Sequence, residues 1–389
     1  MKIPISKIDF SNEDKEAVIK VLDSGWVVQG PSVEEFEKRW SEFTGSKYSV
    51  AVSNCTNALQ LSLSAVGIGS GDEIIVPSFT WIASANAVEA LNAKPVFCDI
   101  DLDTFNINPD LIEQLITSKT KAIMPVHLFG LSADMYEILK IAKKYNLIVI
   151  EDAACGFGSK YKGKHVGNFG LTGCFSFHPR KALTTGEGGM ITTNNESISS
   201  KLKSMRDHGA AVSDLQRHMG NKPYLLPDFP YAGYNFRMTD IQGALGLTQM
   251  KRANEILLKR KAIAERYNEA LKEIDWLKLP YQNADYSHGF QAYVCLFSPD
   301  KITEKNVELV NRQRNKFMEY LFDKGISTRP GTHAVHNTTY YKEKYKIEPM
   351  DFKNSLISEK CSIALPLFPS ISDTEFNYII KTIKAFKYE

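Results

Sequence analysis

Between residues 48 and 193, short apolar runs alternate with longer segments of helical spacing. The runs are YSVAVSN, EIIVPSF, PVFCDI, KAIMPVHLF, LIVIEDAA, GCFSFH and GGMITT. Several show little polar alternation, as expected of strands covered on both faces in a mostly parallel sheet. The stretches 56–66, 81–92, 109–118 and 132–145 read as helices, with NPDLIEQLI and SADMYEILKIAKKY carrying helix starts and apolar periodicity. This part of the chain is predicted to form an α/β domain.

Beyond it, residues 240–275 form one long helical stretch suited to an interdomain connection. The run FQAYVCLFS and the helical segments EKNVELVNRQRNKFMEYLFDKG and SDTEFNYIIKTIKAF then predict a smaller α+β domain. The expected division is 1–250 for the N-terminal segment and large domain and 251–389 for the smaller one, which the early N-terminal segment is expected to join. A chain of 389 residues that is 43% hydrophobic has material for two cores.

Charge narrows the function. The 47 basic and 45 acidic residues leave +2, interspersed along the chain, so no broad field favours nucleic acid. Six cysteines are widely spaced without a CxxC pair, and several sit in apolar runs, which predicts reduced core thiols and a cytoplasmic protein. No run approaches the ~20 apolar residues of a membrane span, and the first residues turn polar too soon for a secretory signal.

Among local motifs, AVGIGSGDEII follows a helix and precedes a strand, the reverse of the dinucleotide-binding order, and reads as a turn. His333 and His336 form an HxxH pair without the acidic residue of a zinc helix, so no metal is expected; a substrate-contacting loop or a plain Gly/His/Thr loop both fit. Ser53, Asn54, Thr56 and Asn57 occupy a strand-to-helix crossover, where they could bind phosphate or cap the helix. Glu151 and Asp152 end a strongly apolar strand and should point to opposite sides. At a strand end of an open α/β sheet, one of them could hold a cationic ring nitrogen. Lys181 lies beyond Ser176 and His178 and before a glycine-rich turn; it is either a desolvated amine able to form a Schiff base or an ordinary ion-paired lysine.

The ordered set SNCTNALQ, VPSFTWIASANAV, EDAACGFGS, FSFHPRKALTTGEGGM, MRDHGA and GYNFRMTDIQGALG resembles the DegT/DnrJ/EryC1/StrS family of sugar aminotransferases over roughly residues 10 to 370. The resemblance implies a fold type I aminotransferase, with a large mostly parallel-sheet domain and a smaller α+β domain. It implies pyridoxal 5'-phosphate as cofactor and an obligate homodimer. The amino acceptor would be a nucleotide-linked keto sugar and the donor glutamate or glutamine, in amino sugar and polysaccharide biosynthesis. Transfer at C4 of a 4-keto-6-deoxy sugar is the main expectation and transfer at C3 the alternative. A sugar dehydratase or a non-catalytic homologue follows behind, because the dehydratase branch has histidine where this chain keeps Lys181.

By the same resemblance, Lys181 binds the cofactor aldehyde and shuttles protons, and Asp152 pairs with the pyridine nitrogen. Trp81 stacks on the ring, and Thr56, Asn57 and Ser176 clamp the phosphate, completed by Asn235 across the dimer. Arg237, Arg329, His333 and His336 are the candidate substrate contacts. His208 belongs to a recognisable motif without a definite role, and His178 is either an active-site support or a packed histidine. Two positions depart from the family pattern: Cys155 replaces the usual Gln, His or Glu three residues after the aspartate, and Cys55 replaces a glycine in the phosphate turn.

Overall fold

The computed structural model describes residues 1–212, 224, 226–298 and 301–387. In chain order, helices α1 (Asn12–Ser24) and α2 (Pro31–Thr44) precede strand β1 (Tyr48–Val52), α3 (Cys55–Ala65), β2 (Glu73–Pro77), α4 (Ala83–Glu89), β3 (Lys94–Cys98) and β4 (Thr120–Ile123). There follow α5 (Met135–Tyr145), β5 (Ile148–Asp152), β6 (Thr172–Ser176), β7 (Gly189–Thr193) and α6 (Glu196–Arg206). The strands assemble into one seven-stranded sheet in the order β1-β7-β6-β5-β4-β2-β3. Only β7 runs antiparallel to its neighbours in this sheet.

The uniform apolarity of these strands has the expected cause. Ile74 and Val76 pack on one face of the sheet with Leu59 and Leu63 of α3, while Ile75 packs on the other with Ile138 and Ala142 of α5. Both faces are covered, so β2 is buried along its whole length. A third cluster, built on Phe36 and Trp40 of α2 with Phe175 and Met190, closes the end of the sheet that holds β1, β7 and β6.

Three helical expectations are corrected. Residues 109–118 form two single 3-10 turns, Pro109–Leu111 and Glu113–Leu115, because Ile116 is already extended toward β4. The long stretch 240–275 breaks at Arg252, whose ψ of 7° departs from helical geometry, into α7 (Asp240–Lys251) and α8 (Ala253–Leu271). The helix read over 81–92 is also shorter than expected, ending at Glu89.

The remaining chain builds strands β8 (Leu277–Lys278) and β9 (Tyr293–Phe297), helices α9 (Val307–Asp323), α10 (Thr339–Tyr345) and α11 (Lys353–Cys361), strand β10 (Ser362–Leu365) and helix α12 (Asp373–Ala385). The strands make a small antiparallel sheet, β8-β9-β10. Phe297, Phe317, Tyr267 and Ile379 pack in one cluster, joined by Ile3 from the chain start. The Ile3 amide donates to the Gly325 carbonyl at 2.8 Å, and the Ile3 carbonyl accepts from Ser327 at 2.9 Å. No helix among the described residues is long and apolar enough to cross a membrane.

One buried ion pair fixes the entry to the large sheet. Arg206 at the end of α6 donates from Nη1 to Glu37 Oε1 of α2 (2.5 Å) and to the Ala51 carbonyl of β1 (2.7 Å). Glu37 Oε1 also accepts the Ala51 amide at 2.8 Å. Removing one partner strands a buried charge, whereas replacing both by apolar residues removes the desolvation cost as well. We therefore expect Arg206→Leu to lower unfolding free energy by about 3–5 kcal/mol. Adding Glu37→Leu should recover a large part of that loss in denaturant melts.

Candidate active site at the carboxyl edge of the sheet

The site begins with a division of labour between Glu151 and Asp152. Both are buried, and their side chains leave β5 on opposite faces. Glu151 accepts His127 Nε2 at 2.9 Å and the amides of Gly167, Phe169 and Gly170 at 2.6, 2.7 and 2.7 Å. His127 Nδ1 accepts the Ala133 amide at 3.1 Å, which places the imidazole proton on Nε2 and aims it at Glu151. The His127 amide also donates to the Asp152 carbonyl at 3.0 Å, so the end of β5 is tied at backbone and side chain.

Asp152 has fewer donors. Ser84 Oγ donates to Oδ2 at 2.7 Å and the Ala154 amide to Oδ1 at 3.1 Å. Burial holds its carboxyl above the usual range, while Ser84, the Ala154 amide, Lys181 and His127 pull the other way. A buried carboxylate with two neutral donors is complementary to a cationic N–H, which is what a protonated pyridine ring presents.

Strand register gathers the next residues. Asp152 faces Cys174 in the sheet; two residues on, Ser176 faces Gly189, which faces Val52. Val52 leads through Ser53 and Asn54 into α3, so the N-terminus of that helix lies beside Ser176. A Cβ on Gly189 would stand 2.6 Å from the Asn54 carbonyl carbon and oxygen, so only glycine allows this approach. Asn54 caps α3 by accepting the Asn57 amide at 2.8 Å, and Asn57 Nδ2 donates to Ser53 Oγ at 2.8 Å. Capping occupies the Asn54 side chain and leaves Thr56 exposed at the positive end of the helix, where amides suit an anion. Cys55 turns inward, its Sγ directed at the Cys174 carbonyl (3.6 Å), which explains how this turn houses a side chain where the family pattern has glycine.

Lys181 is delivered by the loop between β6 and β7. The loop closes on Phe177, whose amide donates to Gly188 and whose carbonyl accepts Thr185. Gly186 supplies the left-handed turn at φ 84°. Gln249 of α7 pins Thr184, accepting its amide at 3.1 Å and donating to its carbonyl at 2.5 Å. Within this frame the Lys181 amide donates to the His178 carbonyl at 2.8 Å, and Lys181 Nζ reaches Cys155 Sγ at 3.1 Å. Cys155 stands three residues past Asp152, which brings the amine and the carboxylate to one strand end. His178 serves the turn: its amide donates to Ser176 Oγ at 3.3 Å and its Nδ1 accepts the Arg180 amide at 3.2 Å, with burial lowering its pKa.

Trp81 is 54% exposed at the start of the α4 turn. Its carbonyl accepts the amide of Ser84, the residue that donates to Asp152, so one helical turn links the indole to the carboxylate. Across from it, His333–Ala334 pairs antiparallel with Phe79–Thr80, which brings the His333 ring to 5.7 Å from the indole.

The other substrate candidates separate. Arg329 is exposed, its backbone bridged to Ala364. Arg237 is paired with Asp207. The expectation for His336 is corrected: it is fully buried, with Nδ1 bonded to Ser78 Oγ and Nε2 to the Pro349 carbonyl at 3.0 Å, so it packs the loop and faces no open space. Asn235 is exposed on a segment held by Tyr234–Met205 and Phe236–Arg206 backbone bonds, and the Phe236 carbonyl accepts the Ser53 amide at the turn into α3 (2.9 Å). His208, with φ 57°, donates its amide to the Tyr234 carbonyl at 2.7 Å and so belongs to the same frame.

Sequence reasoning missed Ser84, His127, Gln291 and Arg260. Gln291 Nε2 donates to the Arg180 carbonyl at 3.2 Å, beside Lys181. Arg260, buried and pushed down to about 10 by desolvation, holds the Phe290 and Gln291 carbonyls at 2.9 and 2.5 Å. Ser84 had one available signal, its place one helical turn after Trp81 in TWIAS. The other three show no local pattern.

This sheet, with a buried carboxylate, a loop-borne lysine and a helix N-terminus converging at one strand edge, has the fold type I aminotransferase architecture. Comparison with known proteins then fixes the family. A profile of the DegT/DnrJ/EryC1/StrS aminotransferase family matches residues 9–384, and the chain belongs to that family of sugar aminotransferases. Similar curated proteins include the spore coat polysaccharide biosynthesis protein SpsC of Bacillus subtilis, 36% identical over 98% of this chain and 96% of the relative. GDP-perosamine synthase of Escherichia coli O157:H7 is 38% identical over 99% and 98%. Among solved structures, the PMP-form of the putative sugar aminotransferase Spr1654 from Streptococcus pneumoniae superposes with a TM-score of 0.90 at 29% identity, covering 98% of each chain. Helicobacter pylori PseC, an aminotransferase of pseudoaminic acid biosynthesis, gives 0.89 at 28%, covering 99% and 98%.

The raised Asp152 carboxyl has a stability consequence. An acid whose folded pKa exceeds its unfolded value contributes stability that is full below the unfolded pKa and lost as pH rises through the folded one. In cofactor-free protein, Asp152→Asn should therefore melt at a higher temperature than wild type at pH 7. The gain should shrink as pH falls toward about 4, the range of an unfolded aspartate. A gain independent of pH would contradict a buried charge as the cause.

Proposed function

We propose that this protein transfers an amino group from glutamate or glutamine to a nucleotide-linked 4-keto-6-deoxy sugar, with transfer at C3 as the alternative. The observation that carries this reading is the convergence of Lys181 and Asp152 on one strand end, with the exposed Trp81 tied to Asp152 through Ser84. The names of the relatives, GDP-perosamine synthase and a polysaccharide biosynthesis protein, support a nucleotide-linked sugar as the acceptor. Retention of lysine at 181 supports amine transfer over hydroxyl elimination.

The residues fit pyridoxal phosphate. When bound, the cofactor supplies an aldehyde that carries nitrogen and a ring that withdraws electrons from the carbon being deprotonated. Asp152 would keep the proton on the ring nitrogen, held in aim by Ser84 and the Ala154 amide. Trp81 would lay its indole on the ring face, and Thr56, Asn57, Ser176 and the α3 amides would take the phosphate. Lys181 Nζ would hold the cofactor covalently in the resting enzyme. Once released, it would move a proton from and to the substrate carbon that bears nitrogen. His333, beside Trp81, and the exposed Arg329 are the remaining candidates for the polar groups of the sugar nucleotide, with Arg237 in support through Asp207. In this reading the protein works in the cytoplasm as a homodimer, with Asn235 of one subunit completing the phosphate site of the other.

The deciding experiment offers nucleotide-linked 3-keto and 4-keto sugars with each donor and reads product mass and the position of the new nitrogen. Hydroxyl loss without nitrogen gain would overturn the reading. Lys181→Ala should lose the borohydride-reducible cofactor bond and roughly a thousandfold or more of turnover. Mixing inactive Lys181→Ala and Asn235→Ala proteins should restore a fraction of activity in hybrid dimers; demonstrated heterodimers without activity would reject the shared site.

A further inference from the structure

Lys181 borders a narrow crevice whose wall is largely apolar, formed by Ala154, Phe157, Phe175, Phe177 and Leu183 among others. An amine in such a place needs an acceptor, and the wall offers few polar side chains. Gln291 Nε2 is donated to the Arg180 carbonyl, and Ser176 Oγ accepts the His178 amide. The Trp40 indole can only donate. The side-chain acceptor that Lys181 Nζ meets is Cys155 Sγ, at 3.1 Å.

We propose that Cys155 is a positioning residue for Lys181: its sulfur holds the ε-amine in place whenever the amine is not bonded to the cofactor. This rests on the Schiff-base assignment of Lys181 made above. A sulfur is a weak acceptor, and that weakness suits the task. It confines a long side chain with several rotatable bonds without the tighter grip of a charge-assisted carboxylate bond. The departure at position 155 is then a working feature of this chain: the thiol narrows the range of the amine and lets it go.

The test follows covalent capture, independent of turnover. Cofactor-free protein is mixed with pyridoxal phosphate, the absorbance change is followed by stopped flow, and the adduct is trapped with borohydride and located by peptide mass. Cys155→Ala should slow capture about three- to tenfold, the worth of one ordinary hydrogen bond. Cys155→Ser, which keeps an acceptor of similar size, should stay within about twofold of wild type. Capture by the alanine variant at the wild-type rate would overturn the proposal, as would a serine variant as slow as alanine, since that pattern reports packing. Absence of any adduct at Lys181 in the wild type would instead overturn the Schiff-base assignment itself.

Discussion

Two carboxylates cannot both be buried at the end of one strand unless their charges are answered separately, and the geometry of this protein is organised around that requirement. An ionised carboxylate taken from water costs several kcal/mol if nothing compensates it. Glu151 is compensated in full by one imidazole and three backbone amides, groups contributed by the segments 127–133 and 167–170. Those bonds lock the end of β5, and the period of a strand then dictates where Asp152 points. Asp152, on the other face, keeps two neutral donors and a deficit that a cationic ligand would satisfy.

The other groups of the site are placed by the sheet and by close approaches that few residue types permit. Ser176, Gly189 and Val52 line up across three strands, and the absence of a side chain at Gly189 lets the start of α3 settle against them. Trp81 and Ser84 share one turn, so the residue proposed to cover the cofactor and the residue that orients its acid move as a unit. His333 joins through a two-residue strand pairing with Phe79–Thr80, which carries the C-terminal part of the chain to the same edge.

Much of this was legible beforehand because the signals are local. Apolar runs without alternation marked the strands, and both the opposed directions of Glu151 and Asp152 and the turn character of TTGEGG followed from chain geometry. The failures share a cause in tertiary context. Residues 109–118 have helical periodicity but must become extended at Ile116 to enter β4. His336 looked available in a polar loop, yet Ser78 and Pro349, far away in sequence, consume both of its nitrogens. His127, Gln291 and Arg260 act on backbone or side-chain atoms supplied by other segments, which no spacing rule can reveal. Cys155 was visible as a departure, but its contact with Lys181 needed coordinates.

The antiparallel direction of β7 has a consequence beyond the sheet. Because β6 and β7 are neighbours of opposite sense, the chain from Phe177 to Gly188 is a hairpin excursion and spans no crossover helix. The backbone turns that present Lys181 are therefore closed by contacts close together in sequence, although Gln249 and Gln291 brace the loop from afar, whereas Trp81 and the start of α3 must be brought to it from a hundred residues or so upstream. Local closure precedes long-range pairing when chain entropy sets the order. The backbone turns of the lysine loop can thus form early, with the Gln249 brace and the rest of the pocket added as the chain folds onto it.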